Sequence, residues 1–240
     1  MAAKIGIIGG IGWPGTVSYY EQLCRRAHPV ESLGSPAMSI ESLDMVSTLA
    51  ERGEANNDQS WQAFDKIFTD ALARLASSNC DLAAIASVTP HVRLPSIAKD
   101  APIPIISIVD AVEAELKTSK PEVVLVLGTS VTMQGTVFDA VFERCGCSKI
   151  VTTPSEVTAF TGLLESYFYK RRSVEGRQEL LEFIRPLISK PASTLVMLAC
   201  TDLAPAFPEI GDTARFDADG FQFLDLTSAH VTAILGAAGL

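Results

Sequence analysis

The sequence predicts an α/β protein of two pseudo-symmetric halves. Each is built on a parallel sheet, and if the halves face each other, Ser87 and Cys200 flank one cleft. Three observations predict it. Apolar runs alternate with stretches of helical periodicity along the 240 residues, the pattern of parallel strands joined by crossover helices. A glycine loop after the first strand, Gly9 to Val17, is echoed at Gly128 to Val137. A strand ending in a small nucleophile type also occurs twice, at Ser87 and Cys200, 78 residues after Gly9 and 72 after Gly128. The expected division is residues 1–104 plus 215–240 for the first domain and 105–214 for the second.

In chain order, Lys4 to Ile8 reads as a buried strand, and the tight loop Gly9 to Thr16 leads into a helix over Val17 to Ala27. Ala37 to Leu43 reads as a second strand, ending at Asp44. Gln59 to Ser77 places Trp61, Phe64, Phe68, Leu72 and Leu75 on one helical face. Leu82 to Ala86 is the third strand, and Ile103 to Ile106 a short apolar run. A helix over Val109 to Lys117, the strand Val123 to Leu127 and a helix over Thr132 to Glu143 follow. Ile150 to Thr152 reads as a short strand. Ser155 to Tyr169 and Val174 to Ile188 read as helices, separated by a solvated junction at Lys170 to Arg172. The strand Leu195 to Ala199, the strand Phe221 to Leu224 and a helix over Thr227 to Leu235 complete the chain.

Composition narrows the function. Hydrophobic residues make up 48% of the chain, which argues against disorder. The net charge of -9 argues against nucleic acid, which needs clustered Lys and Arg. No apolar stretch approaches the ~18 residues of a membrane span. The start of the chain runs directly into an apolar strand, without the pattern of a signal peptide. Five scattered cysteines predict reduced thiols and a cytoplasmic setting. Cys145 and Cys147 have no second ligand pair in view, so no metal is expected and the segment reads as a surface loop. Gly9, Gly10 and Gly12 fall out of register with Gly15 for a dinucleotide fingerprint and read as a tight turn beside the cleft.

The stretch Thr194 to Asp202 carries most of the chemistry. An apolar strand ends in Cys200, Thr201 and Asp202, and reads as running into the mouth of a helix. There, converging N–H groups and the helix dipole favour a thiolate. The bland alternative is a buried cysteine acting as a small hydrophobe. Ser87 is a poorer base and needs a carboxylate neighbour, for which Asp44 is the candidate. The bland alternatives are a helix N-cap for Ser87 and a turn residue for Asp44. Thr89, Thr129, Thr132 and Thr201 are loop-end hydroxyls suited to a carboxylate; any one alone reads more readily as a cap than as a ligand, and the set is more informative. His91 and His230 read as structural histidines or as groups tuning the acid/base pair.

Six motifs in register carry a resemblance: Gly9 to Trp13, Ser42 to Asp44, Ser87 to His91, Gly128 to Met133, Ala199 to Asp202, and Asp225 to His230. Together they resemble the aspartate/glutamate racemase family, whose members work without a cofactor. The resemblance implies two α/β domains, a cleft active site, usually a dimer, and two acid/base groups on opposite faces of the α-carbon. Cys200 stands where the family has its second cysteine, and Ser87 where it has its first. Relatives with threonine at the first position give a hydroxyl there precedent. Val88 to His91 depart from the family's usual Asn-Thr-Ala-His, and Asp202 replaces its commoner glutamate.

The expectation is a racemase of a small carboxylate or amino acid. Cys200, Ser87, Asp44 and Asp202 form the catalytic group. Gly10, Thr89, Thr129, Thr132, Thr201 and His230 hold the substrate. The alternatives are a single-cysteine decarboxylase or isomerase, and a catalytically silent carboxylate-binding homologue.

Overall fold

The computed structural model describes residues 2–28, 34–54 and 57–240. They divide into unit 1, Met1–Ser107 with His230–Leu240, and unit 2, Ile108–Ala229.

Unit 1 runs β1 (Ile5–Gly9), α1 (Trp13–Ala27), β2 (Met38–Ser42), α2 (Met45–Ala50), α3 (Gln62–Ser77), β3 (Leu82–Ile85), α4 (Leu94–Ile97) and β4 (Ile105–Ile106). Its sheet has the order β2-β1-β3-β4, with all pairs parallel. β1 is buried along its whole length, as a central parallel strand must be. Its side chains alternate between two apolar layers. Ile5 and Ile7 pack with Tyr19 and Leu23 of α1, and Ile8 packs with Phe64, Phe68 and Leu72 of α3. Burying each of these large side chains contributes about 1.5–3 kcal/mol.

Unit 2 runs α5 (Ile108–Ser119), β5 (Val123–Leu127), α6 (Ser130–Gln134), α7 (Asp139–Cys145), β6 (Ser148–Lys149), α8 (Pro154–Leu163), α9 (Ser173–Ile184), β7 (Thr194–Leu198), β8 (Arg215–Ala218), β9 (Phe221–Asp225) and the start of α10 (Leu226–Ala238). Its sheet order is β6-β5-β7-β9-β8, parallel except for the β8–β9 pair. Within each unit the first strand lies between the second and the third. The repeat read in the sequence is thus a repeat of topology.

Several expectations change. Residues 215–229, expected with the first domain, lie in unit 2, because β9 pairs with β7. The helix expected over Thr132 to Glu143 is two helices, α6 and α7, since Gly135 takes an extended backbone. The strand expected at Ile150 to Thr152 lies earlier, at Ser148–Lys149. α8 widens into a π turn over Leu164–Phe168. α9 tightens to a 3-10 turn at Arg185–Leu187, where Pro186 lacks the N–H to continue the helix. Cys147 is buried, not part of a surface loop, while all five cysteines are free thiols. No described helix is long and apolar enough to cross a membrane.

Candidate active site

Strand register gathers the candidate residues within each unit. In unit 2, Leu127 of β5 pairs with Leu198 of β7, which pairs with Asp225 of β9. Gly128 and Ala199 follow these strand ends side by side. A Cβ on Gly128 would stand 2.9 Å from the Ala199 carbonyl, so the two loops pack backbone to backbone. Thr129, Cys200 and the start of α10 therefore share the carboxyl edge of this sheet, where ligands of parallel α/β sheets bind.

Cys200 is the second residue past β7 and is 8% exposed. Its Sγ lies 3.8 Å from Asp202 Oδ2, close enough for the thiol to donate to the carboxylate. The helix mouth expected here is absent. Residues 201–203 form a turn, closed by Leu203 N–H donating to the Cys200 carbonyl at 3.1 Å, and only a 3-10 turn follows at Ala204–Ala206. The electrostatics reverse accordingly. Burial, reinforced by the Asp202 charge, pushes the Cys200 thiol up to about 12, so the resting group is a neutral proton donor. Burial also raises Asp202, against the Cys200 hydrogen bond and the positive charge of Arg171. Arg171 is a member of this neighbourhood that the sequence reading passed over as solvated junction. It holds a left-handed backbone, φ 59°, after the π turn.

Thr129 takes the N-cap position of α6 without a side-chain cap, and its hydroxyl lies 3.2 Å from that of the buried Thr132. Thr201 is half-buried beside Cys200.

In unit 1, Ser87 is the second residue past β3, the place Cys200 holds past β7. It is half-buried and does not cap the 3-10 turn Thr89–Arg93 that follows, whose N-cap residue is Val88. Among the described residues, no carboxylate hydrogen-bonds the Ser87 hydroxyl. Asp44 instead caps α2, accepting from Ser47 N at 2.8 Å and from the Ser47 hydroxyl, and these bonds hold it below the usual carboxylate range. Thr89 is buried in the same turn.

Gly10 is a tight turn, as read. Its φ is 86°, and a Cβ there would lie 2.0 Å from the Leu43 carbonyl. Its N–H donates to Thr16 Oγ1 at 2.9 Å, a second partner the sequence reading missed.

The histidines face inward. His230 is fully buried; its Nδ1 accepts from the Tyr19 hydroxyl at 2.8 Å, and its Nε2–H donates to the Ile106 carbonyl at 2.8 Å. Both ring nitrogens are thus occupied, which leaves none for the substrate role expected of it. His91 Nδ1–H donates to the Ser87 carbonyl at 2.9 Å, fixing the backbone behind the serine. Burial drives His91 down to about 4 and His230 to about 3, so both are neutral. Among the described residues, no group of three or more His, Cys, Asp or Glu side chains could hold a metal ion.

The family model for Asp/Glu/hydantoin racemases matches residues 8–234. The chain belongs to that family. Solved structures agree on the fold. An aspartate racemase homologue from Pyrococcus horikoshii aligns over 99% of this chain and 100% of its own, with a TM-score of 0.79 at 23% identity. The Picrophilus torridus aspartate racemase aligns over 99% and 94%, with a TM-score of 0.77 at 18% identity. The glutamate racemase of Aquifex pyrophilus gives a TM-score of 0.60 at 15% identity, over 98% of this chain and 83% of its own. No curated protein matches the chain.

Proposed function

We propose that this member of the racemase family is a cofactor-independent racemase of a small amino acid, with Cys200 as its principal acid/base and Ser87 serving the opposite face of the α-carbon. The observation that carries the reading is the buried Cys200–Asp202 pair at the carboxyl edge of the unit 2 sheet. It is supported by the place of Ser87, two residues past the third strand of unit 1.

As an acid, the neutral thiol gives its proton to a carbanion at the α-carbon and becomes a thiolate. As a base, it first passes its proton to the Asp202 carboxylate, and the thiolate then takes the α-proton. Ser87 completes the inversion by donating its hydroxyl proton from the other face; solvent then reprotonates the Ser87 alkoxide and Asp202 releases the proton it took, which restores the resting thiol and carboxylate. A hydroxyl without a carboxylate partner is a weak base, so exchange on the Ser87 face is the slower. Thr129, Thr132, Thr89 and Thr201 are the groups proposed to hold the carboxylate, and hydroxyl donors there stabilise the charge that builds on it; the Gly10 N–H, expected to share this role, is taken by Thr16 Oγ1. The reading includes a homodimer in a reducing, cytoplasmic compartment.

A second reading draws on the same geometry. A neutral thiol with no base opposite it suits protonation of a carbanion that decarboxylation creates, which makes the chain a single-cysteine decarboxylase of a substituted malonate. Chiral chromatography separates the two. Pure L- and D-aspartate, glutamate and a panel of neutral amino acids are incubated with the protein. Appearance of the opposite enantiomer supports the racemase. Unchanged amino acids, together with carbon dioxide release from a malonate, support the decarboxylase. A protein that binds these carboxylates and converts none is the silent homologue.

A further inference from the structure

Unit 2 holds a cavity of about 520 Å³ lined by the end of α6, by α7, and by β6 and the segment after it, and none of the residues assigned above lines it. Its floor is apolar, from the buried Met133 and Phe142. Lys149, the last residue of β6, is half-buried in its wall, with Thr152 half-buried beyond it. Asp139 and Glu143, one turn apart on α7, stand exposed at its rim.

Lys149 is the informative group. Its Nζ donates to the Gly135 carbonyl at 2.9 Å, and among the described residues it forms no ion pair. An ammonium drawn partly out of water is ordinarily paired with an acid. Burial lowers Lys149, and the Asp139 charge opposes it. The cation is therefore held at the wall by a backbone carbonyl, with donors left for an incoming anion.

We infer that this cavity is a second small-molecule site that takes a zwitterionic amino acid with an apolar side chain. Lys149 and Thr152 receive the carboxylate, Asp139 and Glu143 at the rim receive the ammonium, and Met133 and Phe142 receive the side chain. The two acids disfavour a dianion, and the apolar floor disfavours a polar side chain. The inference does not rest on the racemase reading, because its readout is binding.

Backbone amide NMR of the labelled full chain tests it, with L-leucine, 3-methylbutanoate and 3-methylbutylamine as probes. The expected result is saturable shifts confined to residues 133–152 with L-leucine, weaker binding of 3-methylbutanoate and none of the amine. Lys149→Met weakens L-leucine at least tenfold, and Lys149→Arg retains most of the binding. Cys200→Ala leaves it unchanged. Should Lys149→Met fail to fold, Asp139→Asn carries the same test through a loss of preference for L-leucine over 3-methylbutanoate. The inference is overturned if L-leucine shifts no amide in 133–152, if Lys149→Met binds as the wild type does, or if 3-methylbutanoate binds as tightly as L-leucine.

Discussion

Cys200 Sγ and Asp202 Oδ2 lie 3.8 Å apart, and both side chains are buried. The carboxylate both accepts the thiol proton and, through its charge, disfavours the thiolate. A donor and its acceptor are therefore stored together in the resting protein. A thiolate forms there only when the proton moves to Asp202 or when a substrate changes the local field.

That arrangement predicts a slow thiol. Alkylation of Cys200 by iodoacetamide, followed by peptide mass spectrometry, should show its inflection well above the ordinary cysteine range. Asp202→Asn removes a charge that raises the thiol, so alkylation at pH 9 should become faster. Burial remains, so the inflection stays above the ordinary value. A slower reaction in Asp202→Asn contradicts the assigned cause.

The buried histidines predict acid sensitivity. Each has a folded-state value below its unfolded value of about 6.5, at about 4 for His91 and about 3 for His230. Their neutral forms support the fold fully above pH 6.5. That support is lost as pH falls from there toward 4 and 3, because the unfolded chain then binds the extra protons. The limiting slope is about 1.4 kcal/mol per pH unit for each histidine. Urea unfolding at pH 7, 6 and 5 measures it, and His230→Gln should remove one proton's share of the slope.

Tyr19→Phe isolates the clamp on His230. It deletes the hydroxyl that donates to Nδ1 and leaves a fully buried acceptor without that partner. The expected cost is about 1–3 kcal/mol in urea unfolding.

What the sequence made legible was what local pattern determines. β1, β5 and, from Leu195 on, β7 are unbroken apolar runs because both faces of each are covered, and each reads as a strand without further context. Gly10 and Gly12 read as a turn because their backbones require it. The β8–β9 hairpin was also legible and was passed over. Asp219 and Gly220 both have positive φ, and this dipeptide is a strong hairpin signal.

The rest was fixed by tertiary contact. The partners of His230 lie 211 and 124 residues away, and no spacing rule reaches that far. Asp44 follows a strand and precedes a serine three residues on, a cap signature that competed with the catalytic reading and prevails in the fold. The thiol's direction of shift depended on two facts absent from local sequence. One is how deeply Cys200 is buried; the other is whether a helix begins after it, and only a turn and the 3-10 turn Ala204–Ala206 follow.

The central claim is that Cys200 exchanges the α-proton of an amino acid. Proton NMR in D2O with separate L- and D-amino acids tests it most directly, comparing wild type with Cys200→Ala. The account predicts loss of the α-proton signal in the wild type, faster from one enantiomer than from the other, and a loss of at least about a hundredfold in that rate in Cys200→Ala. Exchange that persists in Cys200→Ala, or no exchange with any amino acid in the wild type, contradicts it.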